Sequence, residues 1–303
     1  MSSTIMKQGR LTPWLYLLPA LLIMSVFIVY PTINTFALSF MDKTGTQSAA
    51  VDCRPNQPCW GTLENYRYAL TNPVMVQALR NNTLWLLLMV PATVITGLLF
   101  ALLADRVRYE KFAKAIIFMP MAISFIGAGV IWRFVYNIES GSIEQIGVLN
   151  AIIVALGGSP IAWMSDTSVN NFALMLVGVW LWAGFCMTIL SAALKNVPVE
   201  ILEAARVDGA NEVKVFFKIM LPMIIPTIVV VTTTMVINIL KIFDIVFVMT
   251  RGNFGTEVIA NRMFKLIVTD TGKSMAIAVL LVVLTIPIMI FNVFRFRKQE
   301  EAR

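Results

Sequence analysis

Residues 195–222 read KNVPVEILEAARVDGANEVKVFFKIMLP, a polar and charged stretch with apolar sequence on both sides. Its own signals are helical. Pro198 suits a first turn, Glu200 and Glu203 suit the positive end of a helix dipole, and Ile201, Leu202 and Ala205 form a one-sided apolar stripe. Asp208-Gly209 then reads as a stop, because glycine takes the left-handed conformation at a helix terminus. A second helix is predicted to begin near Asn211, with Val213, Phe216, Phe217 and Met220 on one face, and to run into Leu221-Pro222.

Working outward, the flanks are runs at 171–194 and 222–247, and four more runs lie at 14–40, 82–104, 112–136 and 275–294. Each is about 20 residues or longer, enough at 1.5 Å per residue to cross a hydrocarbon core of roughly 30 Å. Composition agrees: 58% of the 303 residues are hydrophobic and 14% charged, against roughly 45–50% and 25% in soluble domains. The runs show no strict two-residue alternation, and backbone in lipid must satisfy its own hydrogen bonds, so the fold class is an all-α membrane protein with six transmembrane helices. Pro91, Pro120, Pro226 and Pro287 lie in or at the ends of these runs, where kinks are tolerated. Lys7 and Arg10 precede the first run as in a signal peptide. Its length and the lack of a small-x-small site before Pro31 point instead to a retained span.

Loop charge sets the orientation. The N-terminal segment, second loop, fourth loop and C-terminal tail carry fourteen lysines and arginines against eight on the other side, so the first set, with both termini, is predicted cytoplasmic. The fifth loop runs against this count with Arg251, Arg262, Lys265 and Lys273 on the outside. The expected plan is a cytoplasmic segment 1–12 and one membrane domain over 13–303, with an extracytoplasmic loop at 41–80 and the structured loop at 195–221. The net charge of +7 then needs no nucleic acid. With no histidine in the chain, enzymatic readings lose their commonest general base and a zinc site is disfavoured. Cys186 falls inside a span as packing. Cys53 and Cys59 sit in a proline-rich outer stretch, either as a disulfide loop or as two free thiols.

Two readings of residues 195–222 compete: an interfacial helix pair lying on lipid headgroups, and a docking element. The pattern Glu203-Ala204-Ala205, Gly209 and Leu221-Pro222 resembles the EAA loop of binding-protein-dependent ABC importer permeases. The fuller form, with Asp208-Gly209-Ala210 and the following aromatic residues, is similar to the carbohydrate branch. Leu18-Pro19-Ala20, Tyr30-Pro31 and Ser39-Phe40 are similar to the first permease of maltose and glycerol-phosphate importers.

The resemblance implies the type I importer permease fold in a bacterial inner membrane. It also implies a coupling helix seated in an ATPase cleft, with Glu203 as anionic anchor, Ala204 and Ala205 allowing close approach, and Asp208-Gly209 making the turn. The implied partners are a second homologous permease subunit, two ATPase subunits and an extracytoplasmic solute-binding protein. The implied cargo is a carbohydrate: an oligosaccharide, an α-glucoside or a sugar-like osmolyte. No cofactor is expected on this chain, since ATP and Mg bind the ATPase. Gly272-Lys273-Ser274 echoes a phosphate-binding loop, but Ile267 stands where its first glycine belongs. The fifth loop, Thr250-Arg251-Gly252-Asn253-Phe254-Gly255, departs from the family's Thr-x-Gly-Gly-Pro stretch.

For the substrate path the sequence offers Asn238, Lys241, Asp244, Trp180 and Trp182. Lys241 lies nineteen residues beyond Pro222, about 28 Å of helix, near the outer interface. Lys241 and Asp244, three apart, are expected to form a structural ion pair there. Trp132 and Tyr136 are expected in an interfacial aromatic belt, and Arg133 is expected to snorkel. The rival function is an ion-coupled secondary transporter using Lys241 and Asp244. It would leave residues 195–222 without a role and calls for a repeat that the chain does not display. A membrane scaffold without transport is the third reading.

Overall fold

A computed structural model describes residues 12–41, 63–139 and 145–301. Cys53 and Cys59 lie outside them. Among the described residues, five helical stretches are long and apolar enough to cross a membrane, and six if one bent pair is a single span.

The described residues fall into two compact units. One unit holds the N-terminal span and a small cap. The span comprises α1 (Thr12–Met24), a π-helical turn at Ser25–Val29 and α2 (Tyr30–Leu38), and its side chains are almost all exposed. Beside its end, α3 (Glu64–Thr71) supplies Asn65, whose amide donates to the Ser39 and Met41 carbonyls at 2.9 and 2.8 Å. The Tyr66 hydroxyl meets Ser39 Oγ at 2.6 Å. The same unit holds residues 265–280 and so the start of α14 (Thr271–Glu301). There Asp270 accepts the Lys273 amide at 3.2 Å and pairs with the Lys273 ammonium at 2.8 Å, while that ammonium lies 4.9 Å from the centre of the Tyr68 ring. The phosphate-loop echo is thus the first turn of a helix, with its lysine held by the capping carboxylate.

The second unit is built on α4 (Pro73–Ala104) and α8 (Asn170–Lys195). Asn72 caps α4, its side chain accepting the Val74 amide at 3.0 Å, so the helix begins within the stretch 41–80 read as loop. Lipid tails are as apolar as leucine, so helices in a membrane associate by close packing and not by escape from water. Gly97 permits that approach: a Cβ there would run into Cβ of Cys186 on α8. Trp85, Met89, Val177, Met187 and Leu190 fill the seam, and Ile224, Val231 and Met235 of α11 (Leu221–Leu240) close it.

The run at 112–136 is not one helix. It divides into α5 (Glu110–Phe118) with a 3-10 turn at Met119–Ala122, then α6 (Phe125–Val135), bent by 99°. Pro120 offers no N–H, Ile123 and Ser124 turn extended, and Ser124 Oγ restarts the helix by accepting the Gly127 amide at 3.0 Å. After α6, a two-residue antiparallel pair (β1, Ile138–Glu139; β2, Gln145–Ile146) leads to α7 (Val148–Ala155).

The run at 222–247 also breaks. α11 ends at Leu240, residues 241–243 turn, and α12 (Asp244–Met249) begins afresh. Helical i,i+3 spacing therefore does not hold between Lys241 and Asp244. They form no ion pair, and Lys241 is exposed while Asp244 is half-buried. The expected pair is corrected on that ground. The chain continues through α13 (Ile259–Leu266) into α14.

Candidate functional site

The helix pair expected at 195–222 is present as α9 (Val199–Val207) and α10 (Glu212–Val215), followed by a π-helical turn at Phe216–Met220 that merges into α11. The stop between them is a Schellman motif: the Ala210 amide donates to the Ala205 carbonyl and the Gly209 amide to the Arg206 carbonyl, each at 3.0 Å. Gly209 has φ +81° with open space around the position of a Cβ, so glycine is needed there for the backbone alone. Asn211 caps α10 by accepting the Lys214 amide at 2.9 Å. Arg206 reaches across the turn to Glu212 at 2.8 and 3.3 Å, and this carboxylate raises the guanidinium pKa above its ordinary value.

Leu202 and Ala205 are half-buried, whereas Ile201, Glu203, Ala204 and Asp208 are exposed. The expected stripe loses Ile201. The second stripe is also corrected: Val215 is buried with Phe216, Ile219 and Met220 half-buried, while Val213 and Phe217 face outward. The π turn shifts the register by roughly one residue against a 3.6-residue period. Glu203 makes no hydrogen bond or ion pair with any described residue.

A polar cluster that sequence reading missed anchors the end of α8 just before this hairpin. The Lys114 ammonium meets Asp105 at 2.5 Å, Glu110 at 2.7 Å and Ser191 Oγ at 2.5 Å. Ser191 Oγ donates to Asp105 at 2.7 Å, and Lys195 pairs with Glu110. The charges come from three separate elements, and only the Glu110–Lys114 pair, four residues apart on α5, follows a spacing rule.

At the far end of α11, twenty helical residues or about 30 Å from the hairpin, the chain forms a second built feature. Arg251 and Phe254 both have φ +54°, a left-handed conformation costly for side-chain-bearing residues. Buried asparagines hold this loop. Asn81 donates to the Gly255 and Glu257 carbonyls at 2.7 and 2.8 Å, and Asn170 to the Phe254 carbonyl at 2.7 Å. Asn82 accepts the Ile259 amide at 2.9 Å and donates to the Leu240 carbonyl at 3.3 Å, bracing the break after α11. Thr250 and Thr256 join hydroxyls at 2.6 Å. The doublets Asn81-Asn82 and Asn170-Asn171 at the head of apolar runs were the sequence signal for these clamps.

Beside the loop is an open cavity of about 350 Å³, lined by residues that include Arg133, Ser165, Thr250, Arg251, Asn253 and Phe254.

The predicted substrate-path residues are scattered. Asn238 donates to the Thr234 carbonyl of its own helix at 2.9 Å. Trp180 meets Trp132 with ring centres 5.7 Å apart, whereas Trp182 packs on Phe125 and Phe185 at 5.8 and 5.7 Å, in a separate cluster. Trp132 and Tyr136 are not an outward belt. Tyr136 is 1% exposed, its hydroxyl donates to the Ala173 carbonyl at 3.0 Å, Trp163 stacks on its ring and Trp132 meets it at a tilt.

Residues 82–298, spanning both the hairpin and the clamped loop, match the family described as binding-protein-dependent transport system inner membrane component. The chain belongs to this family. It is a multi-pass membrane permease subunit of an ABC importer and not an enzyme, and the ATPase is a separate chain. The permease is 50% identical over 291 residues to the osmoprotective compounds uptake permease protein GgtC of Synechocystis sp., covering 95% of this chain and 100% of that one. It is 45% identical over 295 residues to the alpha-glucoside transport system permease protein AglF of Rhizobium meliloti, covering 96% and 84%. Its fold matches a crystal structure of a bacterial ABC transporter involved in import of the acidic polysaccharide alginate, with TM-score 0.75, 20% identity and coverage of 94% and 95%. A second structure of that kind, in complex with an alginate pentasaccharide-bound periplasmic protein, matches with TM-score 0.73 at 20% identity over 92% and 91%. Membership in this family sets aside the secondary-transporter reading.

Proposed function

We propose that the permease forms one half of the translocation path for an α-glucoside, an oligosaccharide or a sugar-like osmolyte. It pairs with a second homologous six-span subunit, with two ATPase subunits on the cytoplasmic face and a solute-binding protein on the other. Both termini are cytoplasmic in this reading, as loop charge requires. The cargo class is supported by the kinship with permeases for osmoprotective compounds and alpha-glucosides.

The observation that carries the coupling assignment is the exposed Glu203, without a hydrogen bond or ion pair among the described residues, on a helix whose C-terminal end is fixed by a Schellman turn. The Schellman turn sets the angle between α9 and α10, and α10 runs into α11 through the π turn. A push on α9 is thereby passed to a membrane helix as a rigid-body movement. Glu203 anchors α9 to a cationic ATPase residue, Ala204 and Ala205 let the surfaces approach, and Asp208-Gly209 shapes the turn. Trp180, Asn238, Lys241 and Asp244 remain the polar and aromatic candidates along the path, with Trp182 on the opposite cluster.

In proteoliposomes holding the complete transporter, Glu203→Lys and Gly209→Val are expected to lower ATP-driven α-glucoside uptake at least tenfold while the permease still inserts. Uptake at the normal rate in either variant would sink the coupling assignment.

A further inference from the structure

The excess of cations in the fifth loop opposes the topology rule, and ion pairing absorbs only part of it. Lys273 pairs with Asp270, and Arg262 and Lys265 have interactions of their own. The Arg251 side chain has no hydrogen bond or ion pair among the described residues. Arg133, in the last turn of α6, has none either, and both arginines line the same cavity.

Two arginines lining one small cavity concentrate positive charge there, which favours an anion. A carboxylate is the matching group, since each planar fork can give it two parallel N–H bonds. Ser165 and Asn253 add neutral polar residues to the lining. The loop is also costly to make. Left-handed backbone at Arg251 and Phe254 persists within a loop whose carbonyls are held at Arg251 by Asn261, at Phe254 by Asn170 of α8 and at Gly255 and Glu257 by Asn81 of α4. That framework leaves Arg251, Asn253 and Phe254 on the surface, with Phe254 54% exposed. A preordered arginine beside an exposed aromatic ring is the make-up of an anchor point for another protein.

Resting on the importer reading above, which puts this loop on the extracytoplasmic side, we propose that the Arg133–Arg251 cavity is a docking socket. It receives an acidic side chain of the solute-binding protein, and Phe254 packs on the surface around that side chain. The carboxylate balances the positive charge concentrated there, and charge attraction speeds the encounter.

The test uses the complete transporter in nanodiscs, with ATPase rate followed as the cognate solute-binding protein, loaded with an α-glucoside, is added. For the unaltered complex, the half-saturating concentration should rise several-fold as NaCl goes from about 50 to about 300 mM, because screening strengthens over that range. Arg133→Glu and Arg251→Glu should each raise it at least tenfold, with Arg→Gln at either position intermediate and the salt dependence flattened. An unchanged half-saturating concentration in the variants, or no salt dependence in the unaltered complex, overturns the socket. So does a change confined to which sugar stimulates, since that would assign the cavity to the solute. If the unaltered complex shows no stimulation by the binding protein, the importer assembly falls and the socket falls with it.

Discussion

The α9–α10 hairpin and the loop at 250–258 both connect helices, and both turn through left-handed backbone, yet different parts of the chain hold them. In the hairpin the left-handed residue is Gly209, and its braces lie within residues 205–214: the Schellman bonds, the Asn211 cap and the Arg206–Glu212 pair. In the loop, Arg251 and Phe254 adopt the same region with side chains attached, and beside the local Thr250–Thr256 and Asn261–Arg251 bonds its restraints include Asn81 and Asn170, far away in sequence. A locally braced turn can be transplanted with its own segment. A loop braced from afar depends on the packing of α4 against α8.

That contrast breaks most readily at Asn81. Asn81→Leu strands two carbonyls that now share one amide, at about 1–3 kcal/mol each, so a loss of about 2–6 kcal/mol is expected in thermal unfolding of the purified complex. Hydrogen exchange should localise the loosening to 250–261 and spare the hairpin. Uniform loosening of both would mean that they are not separately held.

Glycine substitution gives the next step down. A Cβ on Gly252 would lie 2.5 Å from both Glu257 Oε1 and Asn261 Nδ2, at φ +74°. A Cβ on Gly209 meets nothing within 4 Å. Gly209→Ala should therefore lose only the backbone term, about 1–2 kcal/mol, and Gly252→Ala clearly more. Equal shifts in melting temperature would contradict the crowding around Gly252.

The smallest effect is predicted for Asn211→Ala, which removes one cap bond and should cost about 1 kcal/mol. Its signature is faster amide exchange at Lys214 with the 250–258 loop unchanged. Protection that stays the same at Lys214 would show that the cap is not holding α10.

The legibility of the two regions follows from the same difference. Pro198, Glu200, Asp208-Gly209 and Asn211 act on neighbours a few residues away, so α9, its stop and the start of α10 could be read directly. The facing of Phe217 was misread because it lies in a π turn, which leaves the helical period. Neither Lys241–Asp244 nor the run at 112–136 behaved as one helix, since apolar composition reports suitability for lipid and not continuity. Trp132 and Tyr136 fit an interfacial belt by type alone, and only the approach of α6 to α8 turned them inward.

The sequence by itself determined that this chain lives in a membrane, and it determined the hairpin that marks it as an importer permease. Both are carried by composition and by contacts spanning a few residues. Tertiary structure alone decided where α11 breaks, how Asp105, Glu110, Lys114 and Lys195 gather, and why Arg133 and Arg251 share one cavity. Apart from the Glu110–Lys114 and Asp105–Lys114 pairs, those depend on residues tens to more than a hundred positions apart, and inside a membrane, where apolar side chains gain little by choosing one another over lipid, close fit and a few buried amides make the choice.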